Sequence, residues 1–142
     1  MPKSTPSLMD LANEEAISLG QQNIGTEHLL LALSDQPGTP AARALASRGV
    51  SRQALRGALH QVTQIGPASG SSGKLPQSLE VKKAIEYAVE EARALGHTHV
   101  GPEHLLLGLM RVSGGIAVRV LEVLGVIPED MRSVVMQYLG EK

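Results

Sequence analysis

Ile24-Gly25-Thr26-Glu27-His28-Leu29-Leu30-Leu31 returns later in the chain as Val100-Gly101-Pro102-Glu103-His104-Leu105-Leu106-Leu107, at an offset of 76 residues. The match runs outward in both directions without a gap. Ala12, Glu14, Glu15, Ala16, Leu19 and Gly20 recur as Ala88, Glu90, Glu91, Ala92, Leu95 and Gly96; Gly38, Ala41, Arg43, Leu45, Gly49 and Val50 recur as Gly114, Ala117, Arg119, Leu121, Gly125 and Val126. Between positions 12 and 50 there are 19 identities in 39 positions, where residue usage near 7% gives roughly three by chance. The chain is a duplication.

Between the copies, residues 64–76 read Gln-Ile-Gly-Pro-Ala-Ser-Gly-Ser-Ser-Gly-Lys-Leu-Pro. Gly, Ser and Pro there cannot sustain a helix and leave little to bury. This divides the chain into a first repeat at 1–63, a linker at 64–77 and a second repeat at 78–142. Each repeat reads as four short helices, eight in all, with no strand pattern. The first helix spans about Thr5 to Leu19, with Thr5 as cap and Pro6 at the first helical position. Its counterpart spans about Ser78 to Leu95, capped by Ser78, with Val81, Ala84, Ile85, Ala88 and Ala92 on one face. Gly20 and Gly96 stop these helices. Helix two follows Gly25-Thr26 and Gly101-Pro102, where Thr can cap and Pro fits the first turn. Helix three covers about Pro40 to Ser47 and Ile116 to Leu124, and helix four about Ser51 to Thr63 and Pro128 to Leu139. The fold class is therefore all-α.

Composition narrows the function. Of 142 residues 42% are apolar, yet Phe, Trp and Cys are absent, so Leu, Ala, Val, Ile and Met must fill the core. The formal charge is -1, with 13 basic and 14 acidic residues scattered along the chain, which argues against a nucleic-acid or anionic-membrane surface. The apolar run from Leu105 to Met110 is too short to span a bilayer, and the first ten residues lack a signal-like apolar stretch. The expectation is a cytoplasmic protein without a cofactor.

Several residues invite chemistry. Gly70-Ser71-Ser72-Gly73-Lys74 is superficially like a phosphate-binding loop, but Ala68 and Leu75 stand where that pattern needs Gly and Ser or Thr. His97, His99, Glu103 and His104 cluster, but their spacing does not suit a zinc site, and Gln21 and Asn23 replace the first two in the other repeat; capping or packing by His28 and His104 is the plainer reading. Glu14-Glu15 and Glu90-Glu91 read as a solvated face rather than as paired acids, since neighbours on a helix point apart. No nucleophile, base and oxyanion donor come together, so no enzyme is expected. Glu27 and Glu103 are kept in both repeats beside a Gly-bearing turn that opens helix three. A dipole-favoured acid, worth about 0.3 to 1 kcal/mol, accounts for them as well as a binding role does.

Gly-Thr-Glu-His-Leu-Leu-Leu at 25–31, Leu-Ala-Asn-Glu-Glu-Ala at 11–16, Glu-Ala-Arg-Ala-Leu-Gly-His at 91–97 and Gly-Ile-Ala-x-x-Val-Leu at 115–121 together resemble the repeated Clp amino-terminal domain, closest to the ClpC type, over nearly the whole chain. The resemblance implies two pseudo-twofold-related four-helix repeats that receive protein substrates or adaptors for an ATP-driven Clp unfoldase, acting in cis or in trans. A stand-alone accessory that tunes assembly of the unfoldase and its peptidase is the alternative. It also implies phosphoarginine binding. In the second repeat Glu103 would take the guanidinium, the backbone N–H groups of Gly115, Ile116, Ala117 and Val118 the phosphate, and Ser78 the place of a family Thr. In the first repeat the counterparts are Glu27 and the backbone of Thr39, Ala41 and Ala42. Pro40 removes a donor there and the family's capping Thr falls near Pro2, so the second site is expected to bind better.

Overall fold

The computed structural model describes residues 8–36, 38–63 and 75–139. It contains α1 (Leu8–Ser18), α2 (Thr26–Ser34), α3 (Pro40–Ser47), α4 (Arg52–Val62), α5 (Leu79–Ala94), α6 (Pro102–Met110), α7 (Ile116–Val123) and α8 (Pro128–Leu139). The expected Thr5–Pro6 start and the Gly70–Lys74 loop lie outside the described residues. No helix among the described residues is long and apolar enough to cross a membrane.

Leu29, Leu30, Leu31 and Leu33 of α2, and Leu105, Leu106, Leu107 and Leu109 of α6, are all buried. Consecutive leucines point to every side of a helix, so α2 and α6 must be covered all round and become the centre of the molecule. Burial of each such side chain contributes about 2 kcal/mol. Neither repeat can supply that cover alone. α2 packs on α1, α3 and α4 of its own repeat, but also on α6 and α7; α3 packs against α8 and α6, and α4 against α7. Exchanging α1–α4 with α5–α8 maps α3·α8 onto α4·α7, α2·α7 onto α3·α6 and α2·α4 onto α6·α8, which is a pseudo-twofold axis running between α2 and α6. One apolar cluster contains residues of both repeats. The last residues of the expected linker join it: Ile24 N–H donates to Pro76 O (2.8 Å), Ser78 N–H donates to Ile24 O (2.9 Å), and Leu75 N–H donates to Asn13 Oδ1 (2.7 Å).

The duplication persists in backbone detail. Gly20 and Gly96 have φ of 71° and 75°, and the next N–H groups, of Gln21 and His97, donate to Ala16 O and Ala92 O, both at 2.9 Å. These are six-to-one helix stops, for which glycine tolerates the left-handed conformation. At the opposite ends, Gly25 and Gly101, rather than Thr26, are the N-caps of α2 and α6. Their N–H groups donate to Nδ1 of His28 (2.7 Å) and His104 (2.8 Å), the place Glu or Gln takes in a capping box. Burial lowers the His28 pKa to about 4. His104 is also lowered, by burial first.

The paired acids divide in a way the solvated-face reading did not foresee. Glu14 and Glu90 are exposed, whereas Glu15 and Glu91 are buried. Glu15 accepts from Arg52 Nη2 (2.6 Å) and Arg56 Nη1 (3.4 Å) of α4. Glu91 meets Arg132 of α8 at 2.9 Å, an ion contact without hydrogen-bond alignment, and Arg111 at 3.3 Å. Helical periodicity places neighbouring residues about 100° apart, so one acid of each pair turns inward to tie the fourth helix of a repeat to its first. Where repeat one has Ala32, repeat two has Gly108, and there α5 and α6 come close. A Cβ on Gly108 would fall on Ala84 O and 2.9 Å from Ala88 N.

Three outcomes follow for stability. Gly108→Ala forces two backbones apart and is expected to cost about 2–3 kcal/mol in urea unfolding; an unchanged midpoint would contradict this packing. Glu15→Ala leaves Arg52 and Arg56 facing a half-buried hole and is expected to cost about 1–2 kcal/mol, against less than about 0.5 kcal/mol for Glu14→Ala. The third concerns pH. Folding holds His28 neutral, while the unfolded chain takes up a proton near 6.5, so its share of stability is complete above that pH and falls as pH drops toward about 4. Burial raises the Glu27 pKa and acts in the opposite direction above the ordinary carboxylate range, so the readout is the difference from His28→Gln, which keeps a cap acceptor. Between pH 7 and 4.5 wild type is expected to lose about 2 kcal/mol relative to that variant; a pH-independent difference would refute the assignment.

Candidate functional site

Because α2 packs on α7, the start of α2 faces the start of α7 across the twofold axis. Thr26, expected to cap its own helix, instead accepts at Oγ1 from Ala117 N–H of α7 at 3.1 Å, a bond buried between residues 91 apart in sequence. The reason lies in the cap of α7, which is Gly115 and has no side chain. The equivalent helix α3 is capped by Thr39, whose Oγ1 accepts from Ala42 N–H at 3.1 Å; the counterpart of Thr26 there is Pro102, which has no hydroxyl. The third helix of each repeat thus obtains one hydroxyl cap, from within for α3 and from the other repeat for α7.

Beside this junction lies a pocket of about 300 Å³, lined by Gln21, Gln22, Asn23, Gly25, Thr26, Glu27, Ser78, Glu80, Gly114, Gly115 and Ile116. It changes the expected pairing. The acid that shares the pocket with Ser78, Gly115 and Ile116 is Glu27, not Glu103, because this pocket lies between the repeats rather than within one. Ser78 is held by capping α5 at Val81 N–H (3.2 Å) and by the bond to Ile24 that precedes α2. Glu103 lies by its own helix start, with Oε2 3.9 Å from His99 Nε2 and from His104 Nδ1. The twofold relation associates it with the start of α3, and Gln36, just before α3, lies in a groove with Gly101 and Pro102.

Glu27 is 4% exposed and its Oε1 has no hydrogen-bond partner among the described residues. Its carboxylate folds back over Gly25, where a Cβ would strike Oε1, so glycine at the cap is what seats the acid. Gly101 seats Glu103 likewise, with a Cβ 2.9 Å from Oε1. Removal from water, partly offset by the Glu27 backbone N–H, raises the Glu27 pKa. Opposite it, two of the four expected phosphate donors are already engaged: Gly115 N–H donates to Val112 O (3.1 Å) and Ala117 N–H to Thr26. Those of Ile116 and Val118 have no protein acceptor among the described residues, but of the four residues only Gly115 and Ile116 line the pocket, and Val118 lines a separate groove with Met110 and Pro128. In α3, Pro40 has no N–H and Thr39 N–H donates to Gln36 O at 3.3 Å. With Ala42 satisfied by the Thr39 side chain, only Ala41 remains of the three donors expected there.

The histidine cluster is a hydrogen-bonded chain. His104 Nδ1 accepts from Gly101, which leaves its Nε2–H to donate to His97 Nδ1 at 2.6 Å, while His99 stacks on His97 at 5.9 Å between ring centroids. A metal on His104 Nε2 would shift the proton to Nδ1, against Gly101 N–H. Among the described residues no group of three His, Cys, Asp or Glu could hold a metal ion. Gln21, Gln22, Asn23 and Glu80, which also face the pocket, carried no signal in the sequence, since only the cross-repeat packing gathers them.

The Clp repeat (R) N-terminal domain model matches residues 3–113 and again 78–142. The chain is 42% identical over 133 residues to the negative regulator of genetic competence ClpC/MecB of Bacillus subtilis (strain 168), covering 94% of this chain and 16% of that protein. It is 42% identical over 132 residues to the chloroplastic chaperone protein ClpC1 of Oryza sativa subsp. japonica, covering 92% and 14%. The chain thus spans about a sixth of the length of these relatives. The crystal structure of the N-terminal domain of the chaperone ClpD from Arabidopsis thaliana superposes with a TM-score of 0.75 at 28% identity, over 91% of this chain and 87% of that one. The Hsp104 N-terminal domain from Candida albicans gives 0.72 at 13% identity, over 95% and 88%, a likeness of fold alone. With its doubled helix starts, pseudo-twofold core and these matches, the chain belongs to the Clp repeat N-terminal domain family.

Proposed function

We propose that this domain is a non-catalytic docking module that receives protein substrates or adaptors for a Clp-type unfoldase in the cytoplasm, and that the α2–α7 pocket takes an arginine-derived side chain, phosphoarginine in particular. The observation that carries the reading is the buried Glu27 carboxylate with an unpartnered oxygen, facing the first turn of α7. A buried acid left half-satisfied costs stability unless something pairs with it, and a guanidinium supplies charge-assisted donors. The Ile116 and Val118 N–H groups, at the positive end of α7, suit a phosphate oxygen. Ser78 lines the pocket together with Glu27 and Ile116. Family membership supports docking of proteins, and no described group of side chains is arranged for bond-making chemistry.

The second site, Glu103 with the start of α3, is the poorer one on this reading. Its helix lacks the Pro40 N–H, spends Thr39 on its own cap, and places His99 beside the carboxylate. A phosphoarginine peptide titrated into wild type, Glu27→Gln and Glu103→Ala is expected to lose about tenfold or more in affinity with the first variant and less than about threefold with the second. Equal loss in both, or no binding to wild type, would remove this assignment.

A further inference from the structure

Glu80 faces the same pocket and has no part in the reading above. It is exposed in the first turn of α5, two residues beyond the Ser78 cap, and near enough to Glu27 for the two carboxylates to repel. No Lys or Arg lines the pocket. Its positive potential therefore comes from the helix starts that line it, those of α2, α5 and α7, and Thr26 already occupies the Ala117 N–H of α7. An acid at the start of α5 also suits that helix's dipole, but the dipole does not cancel the effect of Glu80 on a ligand. A cavity of about 300 Å³ is about 8 Å across, within one Debye length at physiological salt, so every charge in it acts on every ligand charge.

Arginine brings one positive charge. Phosphorylation adds roughly −1.5 to −2 and makes the same side chain net negative. Glu27 is buried against the guanidinium position, whereas Glu80 sits at the open rim and acts on the ligand's net charge. We propose that Glu80 sets the charge preference of the pocket, favouring the bare guanidinium and weakening the phosphorylated form, so that unmodified arginine side chains of docking proteins enter as well as phosphoarginine. This rests on the pocket being an arginine-type site. Glu27 remains the group on which both ligands depend.

Two peptides identical except for a phosphoryl group on one arginine, titrated calorimetrically into wild type, Glu80→Gln and Glu27→Gln, test the proposal. Wild type is expected to bind both. Glu80→Gln should tighten the phosphoarginine peptide by about threefold to tenfold and weaken the arginine peptide by a similar factor, with both shifts shrinking as salt is raised. Glu27→Gln should weaken both peptides. If Glu80→Gln moves the two peptides in the same direction, or moves neither, the role of Glu80 is overturned while the Glu27 pocket stands. Binding of the phosphorylated peptide alone to wild type overturns the admission of bare arginine. Failure of both peptides to bind wild type overturns the pocket reading and this proposal with it.

Discussion

Two short helices that are apolar on every side cannot be covered by three neighbours from their own repeat, and the architecture follows from that constraint. α2 and α6 lie back to back at the pseudo-twofold axis, and α3, α4, α7 and α8 reach across to close the opposite half. The halves therefore share a core. A consequence is that the start of α2 faces the start of α7 from the other repeat, so the pocket between them has its acid from one copy and its backbone N–H groups from the other.

Duplication followed by divergence shows most clearly at those starts. Thr26 and Gly115 form one complementary pair, a hydroxyl from one repeat and a bare cap in the other, joined at 3.1 Å. Pro102 and Thr39 form the opposite pair, in which the hydroxyl has moved onto the capped helix itself. Both solutions satisfy a first-turn N–H of helix three, but they leave different donors open to a ligand. The α2–α7 junction keeps Ile116 N–H in one pocket with a buried acid, while the α3–α6 junction is impoverished by Pro40. The two junctions thus differ in their open donors, and the α2–α7 junction combines the first repeat's acid with the second repeat's helix.

Much of the fold was legible in the residues. The 76-residue offset, the glycine stops and the cap at Ser78 are local signals, and the helices begin and end close to where those signals fall. The site was legible only in its parts. Glu27, Ser78, Gly115 and Ile116 all line one pocket, but their grouping depends on which repeat covers which, and nothing in either copy encodes that separately. The placement of Glu15 and Glu91 was missed for a related reason: their arginine partners sit on a helix whose orientation is fixed by packing. The capping role of Thr26 was misassigned because proximity in sequence favoured α2, whereas its hydroxyl serves a helix 91 residues away.

The central claim is that one ligand pocket is assembled from both repeats. Amide and side-chain nuclear magnetic resonance shifts followed during titration of a phosphoarginine peptide report it directly. The account predicts that signals of Gly25 to Glu27 move together with those of Ile116 and Val118 along one binding curve. Movement of Ile116 and Val118 in step with Glu103, with Glu27 unaffected, would show that the pockets form within repeats and would contradict it.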